Sequence, residues 1–343
     1  MKRRCFFFSC LWPSIPLIAL MIALPPAVSW TASTPAQIGI GTNRVGLAYH
    51  AAGVGIAKVI SEKSPMKVLV KPFAGPNAWM PLLDSGELEL GLISGTDAGW
   101  AFTMGPGFPR QNKNLRVLMR GNMIDFIVVV KASSDFRKVS DLKARRVTSD
   151  YGGNVVVKQI VEAYLASAGL GWDDVKRVPV PDIAAGLQAL REGRVDAAFG
   201  GGPVTGALRE LDAAIPVRAL PFELSAATLA KARELLPSAR PVLIKKGTGI
   251  LREDIQALEY PIFLVASAKL AENTAYEVVK ALWENYKDLH PIHPWLKGWI
   301  PEEMFDPDPP APYHPGAVKF YREKNLWSAE AQKNQTELIG AAK

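Results

Sequence analysis

Five short segments hold the residues with the most chemical potential. They are Thr42-Asn-Arg-Val-Gly46, Ala74-Gly-Pro-Asn77, Ser94-Gly-Thr-Asp97, Asp150-Tyr-Gly-Gly-Asn154 and Gly200-Gly-Gly-Pro-Val-Thr205. Their glycines let backbone approach a ligand closely. Where such a loop opens a helix, it offers free N–H groups and partial positive charge. Converging loops of this kind would hold a small anion. Arg44 is the only cation among them. Its guanidinium could give a carboxylate two parallel bonds; otherwise it points to solvent or pairs with a surface acid. Micromolar binding needs about −8 kcal/mol, while a helix terminus supplies roughly 0.3–1 kcal/mol and a hydrogen bond to a charged group about 1.5–3 kcal/mol. Several loops must therefore act together.

The candidate ligand-binding set is Thr42, Asn43, Arg44, Val45, Tyr49, Gly75, Asn77, Ser94, Thr96, Asp97, Tyr151, Gly152, Gly153, Asn154, Gly201, Gly202 and Thr205. Some of these have a second reading. Asp97 either meets a ligand amine or holds its own loop and caps the next helix. Asn77 and Asn154 are ligand donors or helix caps. Tyr49 and Tyr151 line a cleft or fill a core. Trp79 and Trp100 flank candidate loops and either wall the pocket or pack.

Catalysis has little to draw on. There is no GxSxG, no HExxH and no Walker A lysine, and Arg44 occupies the third glycine position of the GxGxxG that Gly39 and Gly41 begin. His290-Pro-Ile-His293 resembles a metal pair only in spacing, because proline-rich irregular chain holds it. The loops contain Asp97 and Asp150 and no other acid, so acid–base chemistry by paired carboxylates is poorly served. The expectation is binding without turnover, with no metal and no cofactor.

These loops need elements to position them. Strand patterns at 38–41, 68–70 and 88–93 alternate with helical stretches at 47–61 and from Asn77, a cap candidate, to Gly86, a glycine suited to the residue after a helix. Pro81 falls at the end of that helix's first turn on this reading. The same order recurs with strands at 146–148, 178–180 and 195–199, a helix over 155–168, and a second that Asp182 caps and Gly193 ends. Leu83-Asp-Ser-Gly-Glu-Leu-Glu-Leu-Gly-Leu92 and Leu190-Arg-Glu-Gly-Arg-Val-Asp-Ala-Ala-Phe199 nearly superimpose as patterns. Their separation of about a hundred residues indicates a duplication, not a solenoid. Alternating strands and helices predict two mostly parallel α/β lobes. Between them, 116–131 reads as two apolar strands around Gly121 and Asn122, and 260–265 as the return crossing. The predicted organisation is lobe I from 36–124 and 260–327, lobe II from 125–259, and a polar, flexible, dispensable tail at 328–343 for which a helix is one reading. Two crossing strands make a hinge, and ligands of open α/β sheets sit beyond the carboxyl ends of the strands.

The 343 residues are 48% hydrophobic and 21% charged, enough for a packed core, with a formal charge of +7. Lys2-Arg3-Arg4, an apolar run to Leu24 and small residues around Ala27 and Ser29 read as a secretory signal over 1–29. Removing it takes away three positive charges and no negative one, leaving +4. Both cysteines, Cys5 and Cys10, would leave with it, so no disulfide framework remains. A mildly basic, exported, periplasmic chain is not the profile of a nucleic-acid partner.

The strand–GTxxxG–helix opening, the Ser-Gly-Glu-Leu-Glu-Leu-Gly-Leu segment, the Arg-Glu-Gly-Arg-Val-Asp-Ala-Ala-Phe segment and Pro-Ala-Pro-Tyr-His-Pro-Gly-Ala-Val-Lys-Phe-Tyr-Arg-Glu-Lys at 310–324 together resemble the TAXI-type solute receptors of TRAP transporters, over residues 36–326. The resemblance implies a type II periplasmic-binding-protein fold and delivery of a small organic anion (glutamate-like, a keto acid or a dicarboxylate) to TRAP permease membrane subunits. The loops depart from the family pattern while the framework keeps it. Arg44 and Val45 stand where the family's first loop is small, Ala74-Gly-Pro-Asn77 replaces SGGS, and Ser94-Gly-Thr-Asp97 keeps only the acid of Gln-Ser-Asp. The alternatives are an ABC or tripartite tricarboxylate importer, an exported sensory ligand-binding protein and an exported enzyme.

Overall fold

The computed structural model describes residues 36–342. The expected signal segment and both cysteines lie outside the described residues. In chain order, lobe I opens with β1 (Ala36–Thr42), α1 (Ala48–Lys63), β2 (Met66–Pro72), α2 (Pro76–Ser85), β3 (Leu90–Ser94) and α3 (Gly95–Thr103). The long β4 (Leu115–Lys131) leads out of it. Lobe II contains β5 (Arg146–Asp150), α4 (Val156–Ser167), β6 (Lys176–Val180), α5 (Ile183–Arg191), β7 (Ala197–Gly201), α6 (Gly206–Ala214), β8 (Val217–Leu220), α7 (Ala226–Leu235) and β9 (Arg240–Ile244). The chain returns through β10 (Ile255–Ser267) and finishes with α8 (Glu272–Glu284), α9 (Pro301–Met304), α10 (Pro315–Glu323) and α11 (Ala329–Ala341).

The strands run β2-β1-β3-β10-β4-β7-β5-β6, with β8 beside β4 and β9 beside β10. β1 is parallel to β2 and β3, and β5 is parallel to β6 and β7. The two crossing strands are antiparallel to each other and to their neighbours. Two hydrophobic cores result. One gathers residues between Ile38 and Ile124 and between Ile262 and Tyr321. The other gathers Phe126 to Tyr260, with Leu47 as an insert from the first helix.

The duplicated segments occupy equivalent places. Gly86 and Gly193 both follow a helix in the left-handed region, at φ 83° and 72°, where a glycine carries no Cβ penalty. Three residues on, the repeated acid clasps the first strand of its lobe. The Gly39 N–H donates to Glu89 Oε2 at 2.7 Å, and the Arg146 N–H donates to Asp196 Oδ2 at 2.8 Å, each across 50 residues.

Three expectations need correction. Residues 116–131 form one strand, not two. Gly121 and Asn122 make no turn because the Trp299 ring packs against Gly121 and its indole N–H donates to Asn122 Oδ1 at 2.8 Å. Pairing with β10 continues on both sides, and the irregularity is absorbed as register shifts near Pro261 and Leu264. In α2 the cap is Gly75 rather than Asn77, so Pro81 sits inside the helix, not at the end of its first turn.

The last segment is a docked helix. The Tyr313 N–H donates to Gln335 Oε1 at 2.8 Å, and Gln335 Nε2 donates back to the Tyr313 carbonyl at 2.9 Å. The periodicity of α11 was hard to see because only Ala331 and Gln335 are buried along it. Deleting residues 329–343 should lower the unfolding free energy by about 2–4 kcal/mol, because both backbone groups of Tyr313 lose their partners. Urea unfolding of the truncated chain measures this; an unchanged midpoint would return the segment to a dispensable tail.

Candidate functional site

The carboxyl ends of β1 and β7, the turn after β5 and the middle of both crossing strands enclose a cavity of about 30 Å³ between the lobes. That volume suits about two waters. Polar positions on the wall are Asn43, Tyr49, Asn154, Gly201, Gly202 and Thr205. The remaining wall is apolar, with Phe126, Phe199 and Tyr260 contributing an aromatic face in which Phe126 lies 4.9 Å from Tyr260 and 6.4 Å from Phe199, centroid to centroid.

Local structure explains these placements. Asn43 follows directly on β1, and Tyr49 lies in the first turn of α1. Asn154 is carried by a tight turn in which Asp150 and Tyr151 both take left-handed φ, 67° and 50°. Such a conformation costs a non-glycine residue about 1–2 kcal/mol. The Tyr151 hydroxyl offsets this by bonding Thr148 Oγ1 and accepting the Phe199 N–H at 3.3 Å. Burial pushes that phenol up to about 12. Tyr151 thus packs in the core of lobe II and does not line the cavity.

Several sequence candidates act between the lobes without touching the cavity. Arg44 Nε donates to Asp182 Oδ2 at 2.5 Å, joining the first loop of lobe I to the cap of α5. The Arg44 side chain is 54% exposed and that of Asp182 only 2%. Arg44 is therefore a rim latch rather than a cation inside the pocket. The Val155 N–H at the start of α4 donates to Asn77 Oδ1 at 2.9 Å, so Asn77 caps a helix of the opposite lobe. The Ala207 N–H in α6 donates to the Gly46 carbonyl at 3.1 Å. Gly75 meets Gly153 and Asn154 so closely that a Cβ there would lie 2.3 Å from the Gly153 carbonyl oxygen. In consequence α4, α5 and α6 each have an N-terminal N–H occupied by a protein acceptor, Ala185 of α5 by Asp182.

The other candidates are placed as follows. Thr42 is buried and donates to the Asn43 carbonyl. Val45 is 69% exposed. Gly152 has open space where a side chain would go. Ser94 caps α3 by accepting the Asp97 N–H and donates to Asp97 Oδ2 at 2.7 Å. Thr96 meets Ser238 at 2.7 Å and, with Trp100, lines a wider, open groove of about 690 Å³ beside the crossing strand β10. Trp79 is fully buried against Gly41 and Gly91 and lines neither the cavity nor the groove. His290 and His293 are engaged with backbone at Trp299 and Trp295.

Asp97 is buried next to the cavity's tyrosines. Burial pushes its carboxyl up to about 7, with the Ser94 hydroxyl opposing. Tyr49 is raised well above its ordinary value by burial, then by Tyr260 and Asp97. Tyr260 is raised by burial and by Asp97. The buried Asn43 Oδ1, Tyr49 hydroxyl, Asn154 Oδ1 and Asp97 Oδ1 have no hydrogen-bond partner. An orphaned buried polar atom costs about 1–3 kcal/mol, and three of these four belong to residues that line the one cavity, which makes it the candidate ligand site. The wide groove, open on one side, shows no such set among the described residues. Sequence reasoning missed Phe126, Phe199 and Tyr260, which read as strand interior. Their place near the crossing was the only signal available.

The fold and the cleft define the class: the chain has the two-lobed architecture of periplasmic binding proteins. MatC from Rhodopseudomonas palustris, whose structure holds malate, is similar at 14% identity and a TM-score of 0.52, covering 90% of this chain and 100% of that one. PhnD1 from Prochlorococcus marinus, in complex with methylphosphonate, is similar at 14% identity and a TM-score of 0.50, covering 85% and 99%. A comparison with curated proteins finds no match. The chain belongs to the NMT1-like family, whose model matches residues 40–324.

Proposed function

We propose that the protein is exported to the periplasm and serves as the solute-binding subunit of a membrane importer. It captures a small polar metabolite between its lobes and presents the closed form to permease subunits. The observation that carries this reading is the enclosed cavity with unpartnered polar atoms from both lobes, closed over by contacts that only approach of the lobes can make. Binding without turnover is favoured because the lining holds no histidine, cysteine or acid, and its two tyrosines are held protonated. The resemblance of the sequence to TAXI-type receptors supports a TRAP permease as the partner and a carboxylate on the ligand. The fold serves an ABC importer equally well, and neighbouring transport genes would separate the two.

A thermal-shift screen of amino acids, keto acids and dicarboxylates tests the reading. A ligand at 100 times its Kd should add about 2.7 kcal/mol of stability, with compaction in solution scattering and no product formed. Ligand-dependent product formation would replace the receptor by an enzyme.

Arg44→Ala bears on the latch. Exposed ion pairs contribute about 0.2–1 kcal/mol, so affinity for the screened ligand should fall by no more than about fivefold. A larger loss, with the ligand's carboxylate required for it, would bring Arg44 into the pocket as the sequence suggested.

A further inference from the structure

On the receptor reading, closing the lobes buries an acid as well as a solute. Gly202 lines the cavity from lobe II, and against it stands Trp295, in the short turn Pro294–Gly298. That turn is fastened to the other lobe, since Leu296 and Trp299 belong to the first core. A Cβ on Gly202 would collide with the Trp295 ring and stand 3.0 Å from Asp125 Oδ1. Asp125, on the crossing strand β4, is thus covered where the two lobes meet. Its Oδ1 is buried and has no hydrogen-bond partner. Across the ladder it lies opposite Glu259 of β10, a pairing of like charges that is unfavourable when both are ionised. The other groups around it do not relieve this. The Tyr164 phenol of α4 keeps its proton through burial, Gly202 brings no side chain, and from the turn come the Trp295 indole and His293 beside it. Arg240 on β9 and Arg120 on β4 act on Glu259 instead.

We infer that a proton is a second ligand of the closed receptor, taken up by Asp125 as Gly202 and Trp295 come together over it, so that acid strengthens the grip on a solute. The inference rests on the receptor reading and adds a regulation to the same closure. Parting the lobes would uncover Asp125 and return it to water, where a carboxyl titrates near 3.9. In the closed form burial pushes it up to about 6, with Glu259 adding and its own backbone and the Trp295 indole opposing. The closed form therefore binds more protons between about pH 4 and pH 6. The help to closure is complete below pH 4 and is lost as pH rises through 6. His293, lowered by burial and then by Arg209 of α6, works the other way, and Asp97 is raised as well. Both remain in a variant of Asp125, so comparison with that variant isolates the one carboxyl.

Two amides report closure without any solute. The Val155 N–H donates to Asn77 Oδ1 and the Ala207 N–H to the Gly46 carbonyl, each across the lobes, and both are freed when the lobes part. Their hydrogen-exchange protection, corrected for the intrinsic rate, measures the opening equilibrium. Asp125→Asn carries no charge at any pH. The ratio of its protection to the parent's should therefore fall about tenfold from pH 7.5 to pH 5. Trp295→Ala keeps the backbone N–H that His293 accepts but uncovers Asp125. Its ratio to the parent should fall likewise, and it serves if Asp125→Asn does not fold. A ratio that does not change with pH in Asp125→Asn, or in Trp295→Ala where only that variant folds, overturns the proton and leaves the receptor standing. Failure of every solute in the thermal-shift screen would instead strike the receptor reading, because the exchange measurement uses none.

Discussion

Asp97→Asn should make the protein more stable above pH 7 than its parent, by up to about 4 kcal/mol, at 1.36 kcal/mol for each pH unit separating about 7 from an ordinary carboxyl near 3.9. The sign follows from linkage. In the folded protein Asp97 keeps its proton to a higher pH than in the unfolded chain, so the folded state binds more protons between about pH 4 and pH 7. Its contribution is fully present below pH 4 and is lost as pH rises through 7. Tyr49 and Tyr260, which face it, stay protonated across that window, and the Ser94 hydroxyl does not titrate. Asp125 is also raised by burial, to about 6, but it is present in both proteins, so the difference between their urea midpoints isolates Asp97. Parallel stability curves for the two proteins from pH 5 to pH 8 would mean that Asp97 is solvated and that the cavity is less enclosed than described.

The second large effect is expected at Gly75. Its φ of 162° is extended backbone open to any residue, so alanine there brings no conformational strain. The new methyl would instead meet the Gly153 carbonyl oxygen at 2.3 Å and Asn154 Cβ at 2.6 Å, both on the opposite lobe. Neither can move without shifting the turn that carries Asn154. Overpacking of this kind costs about 1–3 kcal/mol, and here the cost falls on closure rather than on folding. Gly75→Ala should therefore weaken solute binding by about 5- to 150-fold while the thermal midpoint without ligand changes little. Gly152→Ala is the control, since nothing lies within 4 Å of its added atom and both affinity and compaction should be kept. Equal affinities for Gly75→Ala and the parent would show that the bound form never brings these turns together.

How far the sequence foretold this depends on the range of the interaction concerned. The duplicated helix–turn–strand segments were legible because Gly86 and Gly193 act through their own backbone. The Asp182 cap was legible because its partner, Ala185, is three residues away. The crossing strands showed as apolar runs that an exposed surface would not carry. Partners brought together only by the fold were hidden. Arg44 finds Asp182 across 138 residues, and Asn77 finds Val155 across 78, so the sequence left open whether each was a ligand donor, an ion-pair partner or a cap. Six of the seventeen candidate residues line the cavity, and the aromatic wall came from positions whose apolar character said core and nothing more. The docking of α11 was hidden for a related reason. Its buried polar contact is one glutamine bonded to both backbone groups of Tyr313, which no hydrophobic periodicity reports.

The unbroken β4 has a consequence for how a solute is measured. It pairs with β10 from Leu115 to Phe126 before passing into the other sheet, so the lobes share a hydrogen-bonded ribbon. Its irregular points are the register shifts by Pro261 and Leu264, where a bulged strand bends and its local twist increases. On the receptor reading proposed above, parting of the lobes would have to deform that ribbon, and a solute too bulky for the cleft would leave Asn77 short of Val155.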